Sequence, residues 1–463
     1  MAYSEETASF IAGLISRARK AQEKYEMATQ EQVDDLVTRI AWSGVKPDFA
    51  KKIAEFCTEE TRMGITEHKY AKLMTKVKGA LRDMQGCQSV GIVEENKERG
   101  FIKIAKPMGV VGALVPCTIP EASPFVKVIS ALKGRNAIIL APHPRSKKTN
   151  KMAVDQMRTV LKAQGYPEDL VIGIEEVSIE MSEALMAQCD IILATGGGGL
   201  VKAAYSSGTP AQGVGAGNTV CIIDETADVS DATDKIIKSK TFDDATSCST
   251  ENSIVIQEDV YDDVIESFTS KSGYLISSEE KVKLQAAMWE DGHLSKHIVC
   301  QSAQSIAKLA GIDIPAGKNL LLVEEDGIGA DHPFSGEKLS PVSAVYKWKN
   351  FQDAINLVNN ITTYSGPGHS CGIHTTNDDR IKELGQKARV SRVVIRQGQC
   401  LVNSGSWTSS VPMSTTLGCG SWGGNSVSEN VTWKHLVNYT WVFYEIPSTE
   451  PTDEELFGAI MNE

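Results

Sequence analysis

The 463-residue sequence predicts an α/β protein built on two parallel sheets. Four short apolar runs between residues 109 and 197 alternate with helix-like stretches, which is the pattern of strands joined by crossover helices. A second series repeats this texture between residues 253 and 397, in SIVIQEDV, NLLLVEED, SPVSAVYKW, SCGIHTT and RVVIRQ. The length allows two or three domains with a large core. We therefore expect a Rossmann-type layer followed by a second α/β layer.

The residues before the first sheet predict helices and one hairpin. Six apolar residues share one face of an amphipathic first helix: Phe10, Ile11, Leu14, Ile15, Ala18 and Ala21. The segment EQVDDLVTRIAWSG predicts a second helix, and residues 47–83 are expected to be mostly helical with a solvated, charged face. Residues 89–105, SVGIVEENKERGFIKIA, place two apolar-rich runs around a charged turn, which indicates a hairpin.

The predicted domain boundaries lie where the pattern of apolar runs and helix-like stretches changes. The run TVCIIDET (219–226) is expected to close the first half, and the second α/β domain to begin near Ala232. The aromatic, strand-like segment VTWKHLVNYTWVFYEIP (431–447) is expected to pair with the early hairpin or with another subunit. We therefore divide the chain into residues 1–231, including the hairpin of residues 86–106, then 232–430 and a tail of 431–463.

Composition excludes several classes of protein. The net charge of −12 argues against duplex nucleic acid or anionic membranes as partners. The ten cysteines include no C-x-x-C pair, so no structural zinc site and no other metal are expected. No apolar run approaches the roughly 20 residues of a membrane span. The N-terminus MAYSEETASF is polar and acidic, unlike a signal peptide, which makes the reducing cytoplasm the expected compartment.

One stretch, Thr241–Ile256, predicts a reactive cysteine. In TFDDATSCSTENSIVI, Cys248 lies among small hydroxyl residues and is followed at once by an apolar run. This pattern predicts a loop that carries the thiol to a cleft and a strand that returns to the core. A thiol becomes a nucleophile when its surroundings lower its pKa. Most free cysteines are instead small buried hydrophobes, so the local pattern alone leaves both interpretations open.

Two strand ends carry candidate cofactor contacts. Thr195, Gly196 and Gly197 follow a strand and precede a helix, where glycines let backbone amides approach a phosphate or ribose. A tight turn between strand and helix explains them equally well. Pro142, His143 and Pro144 end another strand, and the next residues include three cations: Arg145, Lys147 and Lys148. Such a cluster suits the 2′-phosphate of NADP, although a solvated basic turn is the commoner explanation.

Two further polar residues precede strands of the second half. His369, in GHSCG, is a candidate group of the site, although a single histidine before a strand is more often structural. Glu337, in EKLSPV, is a candidate contact to a ribose hydroxyl, and an exposed glutamate is equally plausible.

With these segments in order, the chain resembles the aldehyde dehydrogenase superfamily over nearly its whole length, and within it the CoA-acylating branch. The resemblance rests on KPMGVVGALVP, APHP, ATGGGGLVKAAYSSGTPAQGVGAGN, FDDATSCSTENS, EKLSPV, GHSCGIHT and TTLGCGSWGGNSVSEN. Several of these segments are similar to the subgroup that acts on sulfoacetaldehyde. The resemblance implies a Rossmann-type cofactor domain, an α/β catalytic domain and a small β element for oligomerisation.

The resemblance also implies a mechanism. Cys248 is expected to add to an aldehyde, pass a hydride to a nicotinamide cofactor, and release the acyl group to the thiol of coenzyme A. NADP is the expected cofactor and NAD the alternative. Hydrolytic relatives carry a glutamate base where this chain has Gly213–Gly217, and Gly215 is expected to border the cofactor. A missing base for water favours a thiol acceptor.

One position departs from the family pattern. The family's oxyanion hole uses an asparagine amide, whereas this chain reads Pro116-Cys117-Thr118-Ile119-Pro120, with Ile119 at that position. We expect Thr118 and Ile119 to border the substrate, with Thr118 or another donor replacing the amide, or with weaker stabilisation of the oxyanion. Arg396 is expected to reach the aldehyde pocket and to bind a sulfonate or carboxylate, and a structural ion pair is the equal alternative.

The functions left open are therefore few. We expect a homo-oligomer, a dimer or tetramer, that converts a small anionic aldehyde into its acyl-CoA. Acylating succinate-semialdehyde or acetaldehyde dehydrogenases are the nearest alternatives. A catalytically weak protein that binds nucleotide or CoA and an acyl-phosphate reductase of related fold are the other two.

Overall fold

A computed structural model describes residues 3–462, and four helices occupy most of residues 5–84. The helices are α1 (Glu5–Tyr25), α2 (Gln30–Val45), α3 (Pro47–Thr61) and α4 (Thr66–Met84). Side chains of Ser4 and Thr29 accept hydrogen bonds from the first turns of α1 and α2, which fixes where these helices begin. The predicted apolar face of α1 is buried except at Phe10, which is exposed.

The first large sheet has five parallel strands in the order β5-β4-β3-β6-β7. Its strands and helices are β3 (Val110–Val115), α5 (Ser123–Lys133), β4 (Ala137–Pro142), α6 (Lys147–Ala163), β5 (Val171–Gly173), α7 (Ile179–Gln188), β6 (Ile191–Thr195), α8 (Gly198–Tyr205) and β7 (Ala211–Val214), and they follow the hairpin strands β1 (Gly91–Asn96) and β2 (Phe101–Pro107). The chain leaves β3 toward one side of the sheet and returns to β6 on the other. A crevice therefore opens outside the carboxyl ends of β3 and β6, where ligands of α/β proteins bind.

The second large sheet has seven parallel strands in the order β10-β13-β14-β9-β8-β15-β16. Its elements are β8 (Thr219–Ile223), α9 (Val229–Lys240), β9 (Glu251–Gln257), α10 (Tyr261–Ser270), β10 (Gly273–Leu275), α11 (Ser278–Met288), the small pair β11 (Trp289–Glu290) and β12 (His293–Leu294), α12 (Ala303–Leu309), β13 (Leu320–Glu324), β14 (Val342–Trp348), α13 (Phe351–Tyr364), β15 (Cys371–His374), α14 (Asp378–Lys387), β16 (Val393–Ile395) and α15 (Gln399–Val402). The predicted class, two α/β layers with parallel sheets, is confirmed.

The strand β8 belongs to the second large sheet and not, as predicted, to the first. β8 was expected to close the first half, but it pairs with β9 and β15 in the second sheet. The chain therefore changes sheets between Val214 and Thr219 and not near residue 231. No helix separates β7 from β8, so the sequence texture gives no sign of the change.

A separate three-stranded antiparallel sheet joins the hairpin to the end of the chain. The strand β17 (Val437–Phe443) pairs with β2 along its whole length, and β2 also pairs with β1. This is one of the two pairings that the aromatic tail predicts. β17 is an edge strand of this sheet, and a short helix, α16 (Asp453–Phe457), follows it.

The helix α5 is the centre of the first core. Every residue from Ser123 to Lys133 is buried, between the five-stranded sheet and the N-terminal helices. Because α5 begins three residues after Pro120, its packing also holds the segment that follows β3 in place. Among the helices of residues 3–462, none has both the length and the apolar character required to cross a membrane.

Candidate active site

A cavity of about 1190 Å³ opens outside the carboxyl ends of β3, β4 and β6. The segments that line it from the first sheet are Pro116–Ile119, Pro142–Pro144 and Thr195–Gly197. The second α/β layer contributes the loop before β9, which carries Cys248, and Glu337, which precedes β14. The crevice predicted from strand direction is therefore enclosed by a second wall that brings a thiol into it.

Cys248 lies in the loop that the sequence predicts. A single helical turn, Phe242–Ala245, precedes it, and the buried strand β9 follows it. Asp243, Asp244 and Ala245 have left-handed φ angles of 54°, 50° and 57°. Such angles cost non-glycine residues free energy, so other contacts must hold this turn.

The thiol of Cys248 is paired with a histidine. Its Sγ lies 3.2 Å from Nε2 of His369, which is fully buried. Nδ1 of His369 lies 2.8 Å from the hydroxyl of Ser370, whose oxygen is 3.1 Å from that of Thr219. Since the Ser370 hydroxyl can donate to Nδ1, Nε2 is able to carry its proton toward the sulfur. His369, predicted only as a candidate, is therefore brought directly against Cys248.

Burial keeps both partners of this pair neutral. Burial and, to a smaller extent, the positive charge of Arg392 lower the pKa of His369 to about 3. Burial also raises the pKa of the Cys248 thiol, with a further increase from Glu337, while Arg392 acts in the opposite direction. A nucleophilic cysteine requires a lowered pKa, and burial does not provide it here.

Glu337 lines the cavity and is only partly exposed. Its Oε1 accepts a hydrogen bond of 3.0 Å from the backbone N–H of Gly217. Burial raises the pKa of this carboxyl to about 7. The alternative of a freely exposed glutamate is thereby removed, and the contact to a ribose hydroxyl stays a prediction.

The predicted glycine segments present their backbone to the cavity. A Cβ atom built on Gly197 or Gly215 would meet no heavy atom within 4 Å, so both positions face open space. Gly197 caps the N-terminus of α8. Thr195 lines the cavity, but its hydroxyl lies 2.8 Å from that of Thr416 and accepts a bond from Lys127. Open amides at a helix N-terminus fit the phosphates of a nucleotide cofactor.

The proline-rich strand end lines the cavity, whereas the cations after it do not. Pro142, His143 and Pro144 are wall residues, and Nδ1 of His143 accepts the backbone N–H of Arg145 at 3.1 Å. The guanidinium of Arg145 donates to the carbonyl oxygen of Thr61 at 2.7 Å. Lys147 is exposed and lies outside the wall. The preference for NADP therefore stays a prediction.

Arg396 does not reach the cavity, contrary to the prediction. Its side chain is exposed and borders a separate recess that includes Asp231 and His374. Gln397 and Gly398, the next two residues, do line the cavity. The chain turns at Arg396, whose φ angle is 51°, and its side chain lies at the separate recess.

Three lysines of α4 lie at the site, although the sequence pattern was interpreted as placing them on a solvated face. Lys69, Lys72 and Lys76 share one helical face and are all buried, and Lys72 and Lys76 line the cavity. The charges of this segment were expected on a solvated face. The signal for the correct assignment was present, because Leu73, Val77 and Ala80 share the same face as the lysines.

Two of these lysines hold the loop of Cys248 through one carboxylate. Oδ2 of Asp243 lies 3.0 Å from Nζ of Lys69 and 2.5 Å from Nζ of Lys72, and Thr246 donates to it at 2.6 Å. Lys69 and Lys72 also donate to the carbonyl oxygen of Thr118, at 2.8 and 3.1 Å. Although burial opposes ionisation, Lys72 and Lys69 hold the pKa of Asp243 at about 2. This cluster joins the nucleophile loop to the segment after β3.

Lys76 has no such counter-charge. Its Nζ donates to the carbonyl oxygens of Ser404 and Gly405, at 3.1 and 2.8 Å. No carboxylate of residues 3–462 lies within ion-pair distance of it. Burial lowers the pKa of Lys76 to about 8. The cavity wall therefore carries a cation that an anionic ligand would neutralise.

Thr118 and Ile119 lie on the cavity wall as predicted, and both are partly exposed. The side chain of Ile119 has no hydrogen-bond donor. The carbonyl oxygen of Thr118 accepts hydrogen bonds from Lys69 and Lys72. The assignment of Thr118 or another group as the hydrogen-bond donor to the oxyanion stays a prediction.

A cluster of possible metal ligands lies outside the cavity. Glu325, Asp326 and His332 offer ligand atoms within 4.8 Å of one another. Glu325 already pairs with Lys281 at 3.1 Å and with His332 at 2.8 Å. These contacts describe an ion-pair network at the surface, and they carry no metal assignment.

Replacing Asp243 with asparagine tests whether its charge holds the nucleophile loop. Asparagine tolerates the left-handed backbone, so Asp243→Asn removes the charge and leaves the φ angle accessible. Two buried ammonium groups then lose their counter-ion, and we expect the free energy of unfolding in urea to fall by about 3–5 kcal/mol.

Asp244→Asn is the matched control, because Asp244 is the neighbouring left-handed residue. Burial raises the pKa of Asp244 to about 6, so its stabilising effect is present at low pH and lost as the pH rises through that value. At pH 8 the control should unfold at an equal or higher urea concentration than the unmodified protein. If both variants lose the same stability, the charge of Asp243 is not what holds the loop.

Comparison with known proteins identifies the family. The aldehyde dehydrogenase family model matches residues 1–312. A sulfoacetaldehyde dehydrogenase from Acholeplasma sp is 44% identical over 98% of this chain and 94% of its own length. A succinate-semialdehyde dehydrogenase (acetylating) from Clostridium kluyveri is 38% identical over 96% of this chain and 98% of its own.

A solved structure agrees with the same assignment. The crystal structure of an acetylating aldehyde dehydrogenase from Geobacillus thermoglucosidasius superposes with a TM-score of 0.93 at 34% identity, over 96% of this chain and 99% of that one. Sequence and fold therefore lead to one conclusion: the chain belongs to the aldehyde dehydrogenase family.

Proposed function

We propose that this protein is a CoA-acylating dehydrogenase that oxidises a small anionic aldehyde, with sulfoacetaldehyde as the best candidate. The observation that carries the proposal is the thiol of Cys248, held 3.2 Å from a neutral His369 on the wall of the cavity. The high identity to enzymes named for sulfoacetaldehyde and succinate semialdehyde supports the substrate class. The reverse reaction uses the same groups.

The chemistry follows from the pair. The sulfur of Cys248 loses its proton to water in the cavity and forms a C–S bond with the aldehyde carbon, while the carbonyl oxygen gains a proton. A bound nicotinamide cofactor supplies the acceptor for the hydride that leaves this carbon. Loss of the hydroxyl proton then leaves a thioester on Cys248. The thiol of coenzyme A attacks the thioester, and the thiol of Cys248 is restored.

The wall composition supports a thiol acceptor over water. The segment Gly213–Gly217 carries no carboxylate where hydrolytic relatives have their base. Glu337 is the nearest carboxylate of the wall to this segment, and its Oε1 is engaged by the N–H of Gly217. A water molecule at the thioester would therefore lack a free base, whereas coenzyme A brings its own nucleophile.

We propose residues 1–218, up to the change of sheets, as the main source of the cofactor contacts and the second layer, residues 219–430, as the source of the nucleophile. Pro142, Gly197 and Gly215 present backbone to the cavity, which supports a dinucleotide there. The exposed cations Lys147 and Lys148 follow the same strand end, which keeps NADP as the first candidate and NAD as the second. Glu337 and His369 are proposed to contact the cofactor ribose and the substrate side of the site.

Lys76 supports an anionic substrate. It is a buried cation on the wall without a carboxylate partner within residues 3–462, so a sulfonate or carboxylate would supply the missing counter-charge. The hydroxyl groups of Ser406 and Thr408 line the same cavity and are able to donate to further oxygens. Lys76 is therefore proposed to bind the anionic group of the substrate, the role that the sequence suggested for Arg396.

The exposed aromatic residues of the tail support a homo-oligomer. Trp441, Phe443 and Tyr444 are 44%, 73% and 59% exposed along and after the edge strand β17. An apolar edge strand left in water invites pairing with another chain. We propose that residues 431–463 and the hairpin form the contact between copies, in a dimer or tetramer. We also keep the cytoplasm as the proposed compartment, since ten free thiols require reducing conditions.

The first test of the function is Cys248→Ala. We expect reduction of NADP with sulfoacetaldehyde and CoA to disappear, while binding of the nicotinamide cofactor changes little, because the side chain carries the covalent step and not the cofactor. Cys87→Ala, which removes a thiol outside the cavity wall, is the control and should keep full activity. Absorbance of the reduced nicotinamide measures both variants.

The same assay separates the alternatives. Turnover that requires phosphate in place of CoA would identify an acyl-phosphate reductase, and cofactor binding without turnover would identify a catalytically weak protein. A higher kcat/KM for succinate semialdehyde or acetaldehyde would correct the substrate. Equal or better kcat/KM with NAD would contradict the preference for NADP.

The second test is Lys76→Met. Loss of a charge-assisted contact should lower kcat/KM for sulfoacetaldehyde by about ten- to a hundred-fold, as expected for about 1.5–3 kcal/mol, and leave acetaldehyde nearly unchanged. In the unmodified enzyme, preference for the anionic aldehyde should decline as the pH rises through about 8, because Lys76 then loses its proton. Lys78→Met, at an exposed position of the same helix, is the control. An equal loss on both aldehydes would assign Lys76 to the fold.

A further inference from the structure

A second arginine of β16 lies at the nucleophile. Arg392 precedes β16, at the edge of the sheet where Cys248 and His369 lie, whereas Arg396 follows the strand at the opposite edge. Nη2 of Arg392 donates to the carbonyl oxygen of His369 at 2.8 Å, and Nη1 donates to that of Gly418 at 2.9 Å. The guanidinium is thus fixed against the histidine that contacts the sulfur.

The charge of Arg392 has no carboxylate partner. Among residues 3–462, no acidic side chain lies within ion-pair distance of it, and its other side-chain contacts are the neutral amide oxygen of Asn430, at 3.3 Å, and the thiol of Cys419. Its Nε is shielded from water and has no acceptor. A partly buried cation that contacts only neutral groups is poorly stabilised, and an anion nearby would stabilise it.

The histidine itself does not supply a positive charge. Cysteine–histidine pairs commonly gain their reactivity from a thiolate beside an imidazolium. Here burial lowers the pKa of His369 to about 3, so the ring is neutral at the pH of the cytoplasm. His369 is able to donate a hydrogen bond to the sulfur, but the cation must come from elsewhere.

The groups around the thiol leave one cation in position to supply it. Glu337 raises the pKa of Cys248, and so do the thiols of Cys419 and Cys400, while Arg392 lowers it. Burial in turn lowers the pKa of Arg392, and the thiols of Cys419 and Cys248 oppose that shift. Lys72 and Lys69 share the carboxylate of Asp243, and among the groups that shift the pKa of Cys248 within residues 3–462, Arg392 is the one cation.

We propose that Arg392 is the positioning residue that makes Cys248 reactive: its guanidinium fixes His369 through the carbonyl oxygen and acts as the counter-charge of the Cys248 thiolate. This inference deepens the proposed function and rests on Cys248 as nucleophile. In the step concerned, the S–H bond breaks, the proton passes to water in the cavity, and the electron pair stays on sulfur beside the Nε2–H of His369. No redox partner is required.

Alkylation of Cys248 by iodoacetamide tests the proposal without any turnover. The rate is followed from pH 6 to pH 10 by the mass of the peptide that contains Cys248. The peptide that contains Cys87, a thiol outside the wall, serves as internal reference. Two variants separate charge from shape. Arg392→Gln keeps hydrogen-bond donors and removes the charge. Arg392→Lys keeps the charge but cannot donate to two carbonyl oxygens from a planar guanidinium.

The expected result is a difference between these variants. In Arg392→Gln the pKa of Cys248 rises, so the alkylation rate near pH 8 falls by about ten-fold or more and the profile moves to higher pH, since one pKa unit is a factor of ten. In Arg392→Lys the profile stays within about half a pKa unit of the unmodified protein, even where kcat falls because His369 is held less firmly. Arg389→Gln, at an exposed neighbouring position, should change neither.

Three outcomes would overturn the proposal. An unchanged profile in Arg392→Gln would remove the charge effect, and an equal fall in both variants would assign Arg392 to packing alone. A ten-fold fall in Arg392→Lys alone would show that the planar guanidinium and not the charge matters, so the proposal can be rejected even if Arg392→Gln does not fold. If alkylation follows the prediction but the protein shows no CoA-dependent turnover, the proposed function is wrong. The role of Arg392 as counter-charge of the thiolate would then still be supported.

Discussion

The interaction on which the site depends is the sharing of one carboxylate, Asp243, by two buried ammonium groups. Lys69 and Lys72 reach it from α4 and also bond to the carbonyl oxygen of Thr118. Helix, first sheet and nucleophile loop therefore meet at a single charge. Three left-handed residues before Cys248 would be costly in a free loop, and the ion pairs, together with the hydrogen bond from Thr246, offset that strain. The loop of Cys248 is thus held in position by charges of α4.

The charges at this site divide into those that hold the protein and those that remain for ligands. Lys69 and Lys72 are paired with Asp243 within the fold, whereas Lys76, one turn further along α4, has no carboxylate partner among residues 3–462. Arg392 likewise contacts neutral groups. Lys76 lies on the cavity wall, and Arg392 lies behind the histidine that contacts Cys248. A protein with a net charge of −12 thus keeps a buried cation on the wall of its cavity, as the proposed anionic substrate requires.

Much of the fold follows from the sequence, because apolar runs and helical spacing report burial directly. The runs from GVVGALVP to RVVIRQ became strands of the two sheets, and the loop of Cys248 lies where its pattern predicts. What sequence cannot report is which side of a sheet each strand end reaches. RVVIR carries an arginine at both ends, and only the direction of β16 places Arg392, not Arg396, beside Cys248. The lysines of α4 were misassigned for a related reason, since a charge on a helix is usually solvated. The change of sheet at β8 depends on pairing alone.

The central claim is that the acyl group passes through Cys248, and trapping that intermediate tests it most directly. The protein is incubated with sulfoacetaldehyde and NADP but without CoA, digested at acidic pH, and examined by mass spectrometry. We expect a sulfoacetyl thioester on the peptide that contains Cys248, formed together with reduced nicotinamide and discharged as sulfoacetyl-CoA when CoA is added. Reduced nicotinamide without an acylated Cys248, or an acyl group on another cysteine that CoA discharges, would contradict it.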